Sequence, residues 1–168
     1  YENSKSLALK NARKIIKESK ADAVKLEGGE RIHEIVRHLT QNGIDVMGHI
    51  GMLPQSIKGA PKVYGKTKLE KKQILKDLKL LENAGVFSIV LECIETKLSK
   101  QITKNIKIPT IGIGSSSNCD GQVLVIDDLI GMSDSRFKFV KRYVDVSKII
   151  NSAVNKYKNE VKKKQFPK

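Results

Sequence analysis

The sequence predicts an α/β protein built on a parallel sheet covered by helices, and three observations carry that expectation. Segments with apolar residues at helical spacing alternate along the chain with short apolar, β-branched segments. The short segments are apolar nearly throughout, as strands buried on both faces are. Polar and charged residues gather at their C-terminal ends: Lys25 and Glu27, His49, Glu92, Ser115 and Asp127.

Leu7, Leu9, Ala12, Ile15 and Ile16 recur with helical spacing, so residues 4–19 read as an amphipathic helix. "AVKLEGG" follows as a strand. "ERIHEIVRHLTQNG" repeats the helical pattern and stops at Gly43. "IDVMGHIG" is the second strand. "LPQSIKGAPKVYGKT" has no period and carries glycines and prolines, so it reads as a long loop. "KLEKKQILKDLKLLENAG" is a strong helix ended by Gly85, and "VFSIVLECIE" is the third strand. "TKLSKQITKNI" gives a short helix, "KIPTIGIG" a fourth strand, and "SSSNCDG" a turn. "QVLVIDDLIG" reads as a fifth strand, and the remainder as largely helix.

Strand centres near 25, 47, 90, 112 and 125 are mostly a βα unit apart. Polar residues at the C-terminal strand ends mark the active face of a (β/α)8 barrel, and also the ligand edge of an open α/β sheet. Five strands cannot close such a barrel, so the chain reads as its second, larger part: roughly strands 4 to 8 with their helices. A partial barrel domain over 1–160 and a basic tail over 161–168 are the expected organisation.

A chain of 168 residues fits one domain with a real core. Its 39% apolar and 30% charged residues exclude a disordered chain. No apolar run approaches the roughly 20 residues of a membrane span. Cys93 and Cys119 give neither a disulfide framework nor metal-ligand spacing, which suits a reducing cytoplasm. The net charge of +14 raises the question of nucleic acid. The lysines are dispersed and aromatic residues are only 5%, so no nucleic-acid partner and no membrane partner is expected.

Lys25 and Glu27 stand two residues apart on a strand and therefore share a face. A buried face rejects unpaired charges, so they need each other, a metal or an anionic ligand; a strand end emerging into solvent with a surface ion pair is the alternative. Glu92 follows "FSIVL" and precedes Cys93 and Ile94, an apolar setting that makes a carboxylate a better proton acceptor. His49 lies between glycines that allow close approach of a ligand or another backbone. "GIGSSSNCDGQ" is a tight turn and lacks phosphate-cradle spacing. Asp127 and Asp128 alternate, one inward and one outward, and Cys93 reads as core packing.

"VKLEGGE", "GHIGMLPQS", "IVLECI", "IPTIGIG" and "DGQVLVIDDLIGM", in this order and spacing, resemble the ketopantoate hydroxymethyltransferase family from about residue 4 to about residue 160. The resemblance implies a (β/α)8 barrel assembling as a decamer. It implies transfer of a one-carbon unit from 5,10-methylenetetrahydrofolate to C3 of 3-methyl-2-oxobutanoate, through a magnesium-stabilised enolate. It makes Glu92 the catalytic proton acceptor, Lys25 the ligand of the substrate carboxylate, Glu27 a carboxylate at the magnesium and His49 a substrate-site residue. The family's two direct magnesium aspartates lie on strands upstream of the segment matched here. The sequence, which starts directly in a helix, is therefore expected to be the C-terminal part of a longer protein, with a catalytically inactive barrel remnant as the alternative. Pro61 stands where the family has tyrosine, and Ser115 and Ser116 where it has alanine and glycine.

Overall fold

The structure is a computed structural model and describes residues 2–56, 62–134 and 137–167. Two units form, residues 1–123 and 124–168. The first helix, α1 (Lys5–Ser19), begins where the Ser4 side chain accepts a hydrogen bond from the Leu7 N–H, satisfying one of the orphan donors of the first turn. Its buried residues are Ala8 and Ala12, small enough to bring it close to α2 (His33–Gln41). α2 buries Ile35, Val36 and Leu39 on one side. α3 (Lys68–Asn83) opens on a capping box in which Thr67 and Glu70 each satisfy the other's backbone. α4 (Thr96–Asn105) opens on Glu95, whose carboxylate accepts from the Leu98 N–H.

Between these helices run β1 (Val24–Glu27), β2 (Val46–Gly51), β3 (Ser88–Glu92) and β4 (Thr110–Ile113), with β5 (Gly121–Gln122) after a tight turn. The four pairings between these strands are parallel and the spatial order is β1-β2-β3-β4-β5. An open doubly wound sheet reverses its strand order at a switch point. This order does not reverse, so successive crossovers carry the helices along one side of the sheet, as in the repeating unit of a (β/α)8 barrel. The expectation of a partial barrel of parallel βα units is met.

Strand alternation divides the sheet into two faces. A Cβ placed on Gly48 would come within 3.2 Å of Leu81 of α3, so the Gly48 face is the helix side. Leu26, Val46, Ile50, Ile89 and Leu91 share that side and belong to the buried core with Leu39, Leu81, Leu98 and Ile102. The opposite face carries Lys25, Glu27, His49, Val90 and Glu92, aligned by the registers Glu27 with His49 and His49 with Val90.

The predicted fifth strand over "QVLVIDDLIG" is corrected. Strand structure stops at Gln122, and residues Ile126–Leu129 form a single helical turn, α5. The apolar run that suggested a strand is not a buried one: Val123, Val125 and Ile126 are all exposed. Asp127 and Asp128 sit in the first turn of α5, where carboxylates meet the positive end of the helix dipole. Asp127 is thus not a strand-end residue; it is exposed, while Asp128 is buried and accepts a hydrogen bond from Ser133. Among the described residues beyond α5, the expectation of helix holds for α6 (Val146–Lys162), which buries none of its residues.

Candidate active site

The chain stations its polar residues at one end of three adjacent strands, and the registers bring them together. Lys25 Nζ lies 3.3 Å from Glu27 Oε1 and 3.4 Å from His49 Nδ1. On the far side of the imidazole, His49 Nε2 lies 3.0 Å from Glu92 Oε2. The row Lys25, Glu27, His49, Glu92 therefore forms one contiguous polar group crossing β1, β2 and β3. Only the lysine reaches toward solvent: its side chain is 44% exposed, against 4% for Glu27 and 2% for His49.

The proton on His49 follows from its neighbours. A lysine ammonium has donors and no lone pair, so the Nδ1 facing it acts as the acceptor. The ring proton is then assigned to Nε2, which faces the Glu92 carboxylate. The Nε2–Oε2 separation is short, but the approach is bent too far for a regular hydrogen bond. This is a charge–dipole contact awaiting a small rotation of either side chain.

Backbone groups fix the two carboxylates. Glu27 Oε2 accepts the Gln55 N–H at 3.1 Å, and the carbonyl of Glu92 accepts the Met52 N–H at 2.8 Å. Both donors belong to the segment just after β2, and Gln55 lies within the stretch expected to be a long loop. Gly51 allows this junction: its φ is 97°, and a Cβ there would fall 2.1 Å from the Glu92 carbonyl oxygen. The close backbone approach expected beside His49 is realised at this glycine. Further along, Tyr64 N–H donates to the Cys93 carbonyl at 2.8 Å, and Glu95 N–H to the Tyr64 carbonyl at 2.8 Å, pinning the end of the loop beside β3.

Cys93 is 4% exposed, and burial together with the neighbouring Glu92 charge pushes its thiol up to about 11. It is a neutral core group at physiological pH. "SSSNCDG" is the turn expected from the sequence, closed by Asn118 N–H donating to Ser116 Oγ and by Cys119 N–H donating to the Ser116 carbonyl. The departure at Pro61 lies outside the described residues.

Magnesium takes about six oxygen ligands in near-octahedral geometry. Among the described residues, no group of three or more His, Cys, Asp or Glu could hold a metal ion. On the polar face Glu92 is committed to His49, and Glu27 already meets Lys25 and the Gln55 N–H. These residues alone do not make a magnesium site; Glu27 could contribute one ligand to a site completed elsewhere. No helix among the described residues is long and apolar enough to cross a membrane.

The family model described as ketopantoate hydroxymethyltransferase matches residues 1–168. The chain is 56% identical over 167 residues to the 3-methyl-2-oxobutanoate hydroxymethyltransferase of Pelagibacter ubique, covering 99% of this chain and 64% of the relative. It is 52% identical over 170 residues to the protein of that name from Carboxydothermus hydrogenoformans, covering 99% and 62%. It is 48% identical over 170 residues to the one from Chlorobaculum tepidum, covering 99% and 61%. The chain therefore spans less than two thirds of the length of these relatives. By its match over the whole of its length, the chain belongs to the ketopantoate hydroxymethyltransferase family.

Proposed function

We propose that the protein carrying this sheet transfers a hydroxymethyl group from 5,10-methylenetetrahydrofolate to C3 of 3-methyl-2-oxobutanoate, giving ketopantoate for pantothenate biosynthesis. One observation carries the reading: an ammonium, an imidazole and a carboxylate stand in a row across the C-terminal ends of adjacent parallel strands. Relatives named for the same activity support it.

The keto acid is an anion with an acidic hydrogen on C3. Lys25, the exposed member of the row, is the group an incoming carboxylate meets first. Its ammonium exchanges part of its contact with Glu27 for the substrate, a charge-assisted hydrogen bond. Glu92 then takes the C3 proton. The C3–H electron pair becomes the C2–C3 double bond of the enolate, and the carbonyl pair moves onto oxygen. His49, whose Nε2 faces the carboxylate at 3.0 Å, steadies its charge before transfer. The enolate carbon bonds to the folate methylene as its bond to N10 breaks, and water then replaces N5 on that carbon, so that the proton from water and the one taken by Glu92 end on the two nitrogens of the departing tetrahydrofolate. In the family's chemistry magnesium polarises the keto acid; here Glu27 is the residue that would contribute to its binding. By the same resemblance the protein works as a homo-oligomer, a decamer.

A catalytically silent barrel segment is the second reading, favoured by the lack of a metal-binding group among the described residues. The two separate in one assay. The complete gene product, supplied with magnesium and both substrates, should form ketopantoate. Its failure to do so while properly folded would overturn the enzyme reading in favour of the silent one.

A further inference from the structure

Glu92 is the last residue of β3, and the chain turns sharply just beyond it. Cys93 has φ 51°, a left-handed conformation that a non-glycine residue adopts only when its surroundings impose it. The turn is fastened on the backbone by Cys93 N–H donating to the Ile113 carbonyl at 2.9 Å. It is also fastened by one side-chain atom. The Ser115 hydroxyl, just after β4, donates to the Leu91 carbonyl at 2.6 Å and accepts from the Ile94 N–H at 3.0 Å. A single oxygen thus ties the residue before Glu92 to the residue after Cys93. Ser115 is itself held by Thr96 Oγ1, which donates to its carbonyl at 3.1 Å.

We propose that Ser115 is a positioning residue for the Glu92 base: its hydroxyl holds the left-handed turn at Cys93 and so keeps the Glu92 carboxylate against His49, on the face that bears Lys25. The inference rests on the reading of Glu92 as proton acceptor. Without the hydroxyl, Leu91 and Ile94 lose their common anchor and the strand end gains freedom about Glu92. A base displaced by a fraction of an ångström transfers protons more slowly, while a substrate carboxylate held by Lys25 on another strand is bound as before.

The test uses the complete gene product, with Ser115→Ala, Ser115→Thr and the milder Thr96→Val compared with the wild type in transfer kinetics. Ser115→Ala is expected to lower kcat about tenfold with KM for the keto acid within about twofold. Ser115→Thr, which keeps the hydroxyl, should restore the rate. Thr96→Val should shift kcat in the same direction by a smaller factor, and it decides the matter if Ser115→Ala fails to fold. Wild-type kcat in Ser115→Ala, or in Thr96→Val when that variant decides, would overturn the positioning role alone. No turnover by the wild type itself would overturn the reading of Glu92, and this role with it.

Discussion

Lys25 is the one exposed charge in a row whose other members are buried, and that exposure suits the proposed role of meeting the substrate carboxylate. Its ion pair with Glu27 is half in solvent, where such pairs contribute little to stability. The side chain is therefore cheap to redirect toward an incoming anion. Lys25→Ala should leave the fold intact and raise the Kd for 3-methyl-2-oxobutanoate about 10- to 100-fold, the worth of one hydrogen bond to a charged group. Isothermal titration with the keto acid reads this directly; an unchanged Kd would remove the carboxylate role. The pairing of Lys25 with Glu27 was legible from their spacing alone, since a strand repeats every two residues. Their meeting with His49 was not, because it depends on the β1–β2 register. The part played by Ser115 was equally hidden, since nothing in "GIGSSS" says that its hydroxyl reaches back to β3.

At the scale of elements, the site hangs on how β2 and β3 end. Gly51 carries both a positive φ and a backbone neighbour too close for any side chain. Gly51→Ala should cost about 3 kcal/mol of stability, through left-handed strain and displacement of the Glu92 carbonyl. Chemical denaturation checks the loss, and a variant as stable as wild type would contradict the geometry. The start of α3 carries a pH signature. Lys62, with the Thr67 and Lys66 N–H groups, holds the Glu70 carboxyl at about 2, below its ordinary value of 4.5. A depressed folded pKa contributes stability that is complete above the unfolded value and is lost as pH falls through the folded one. The capped start of α3 should thus weaken from about pH 4.5 down to about 2, and Glu70→Gln should flatten the acid limb of the melting curve in that window. An identical acid limb in Glu70→Gln would show that this carboxylate is not a source of acid lability.

Elements with strong periodicity or clear caps were legible in the sequence, and the end of the sheet was not. The helices that became α1, α3 and α4 carry apolar repeats and cap residues that local physics reads without help. The stretch "QVLVIDDLIG" has strand composition, yet its apolar residues are exposed and its paired aspartates favour a helical first turn. Composition alone cannot tell a buried apolar run from an exposed one, so the strand reading failed there. The anchoring of Glu27 and Glu92 by Gln55 and Met52 was invisible for a related reason: both contacts use main-chain N–H groups, which every sequence supplies.

On the scale of the whole molecule, a sheet whose strands follow chain order gathers its C-terminal strand ends along one rim. Three consecutive strands suffice to bring carboxylate, imidazole and ammonium together, and on the proposed reading these residues carry the proton transfer. Metal binding is a different matter: on that reading Glu27 would supply one magnesium ligand, and among the described residues no group of three or more His, Cys, Asp or Glu could hold the ion. The division yields a measurement independent of folate. In D2O, with keto acid, magnesium and no folate, the complete gene product should exchange the C3 hydrogen of 3-methyl-2-oxobutanoate for deuterium, followed by proton NMR. Glu92→Gln should slow that exchange at least ~100-fold, the typical contribution of a positioned base, while leaving the melting temperature near that of the wild type. Exchange at the wild-type rate in folded Glu92→Gln would contradict the assignment of Glu92 as the base.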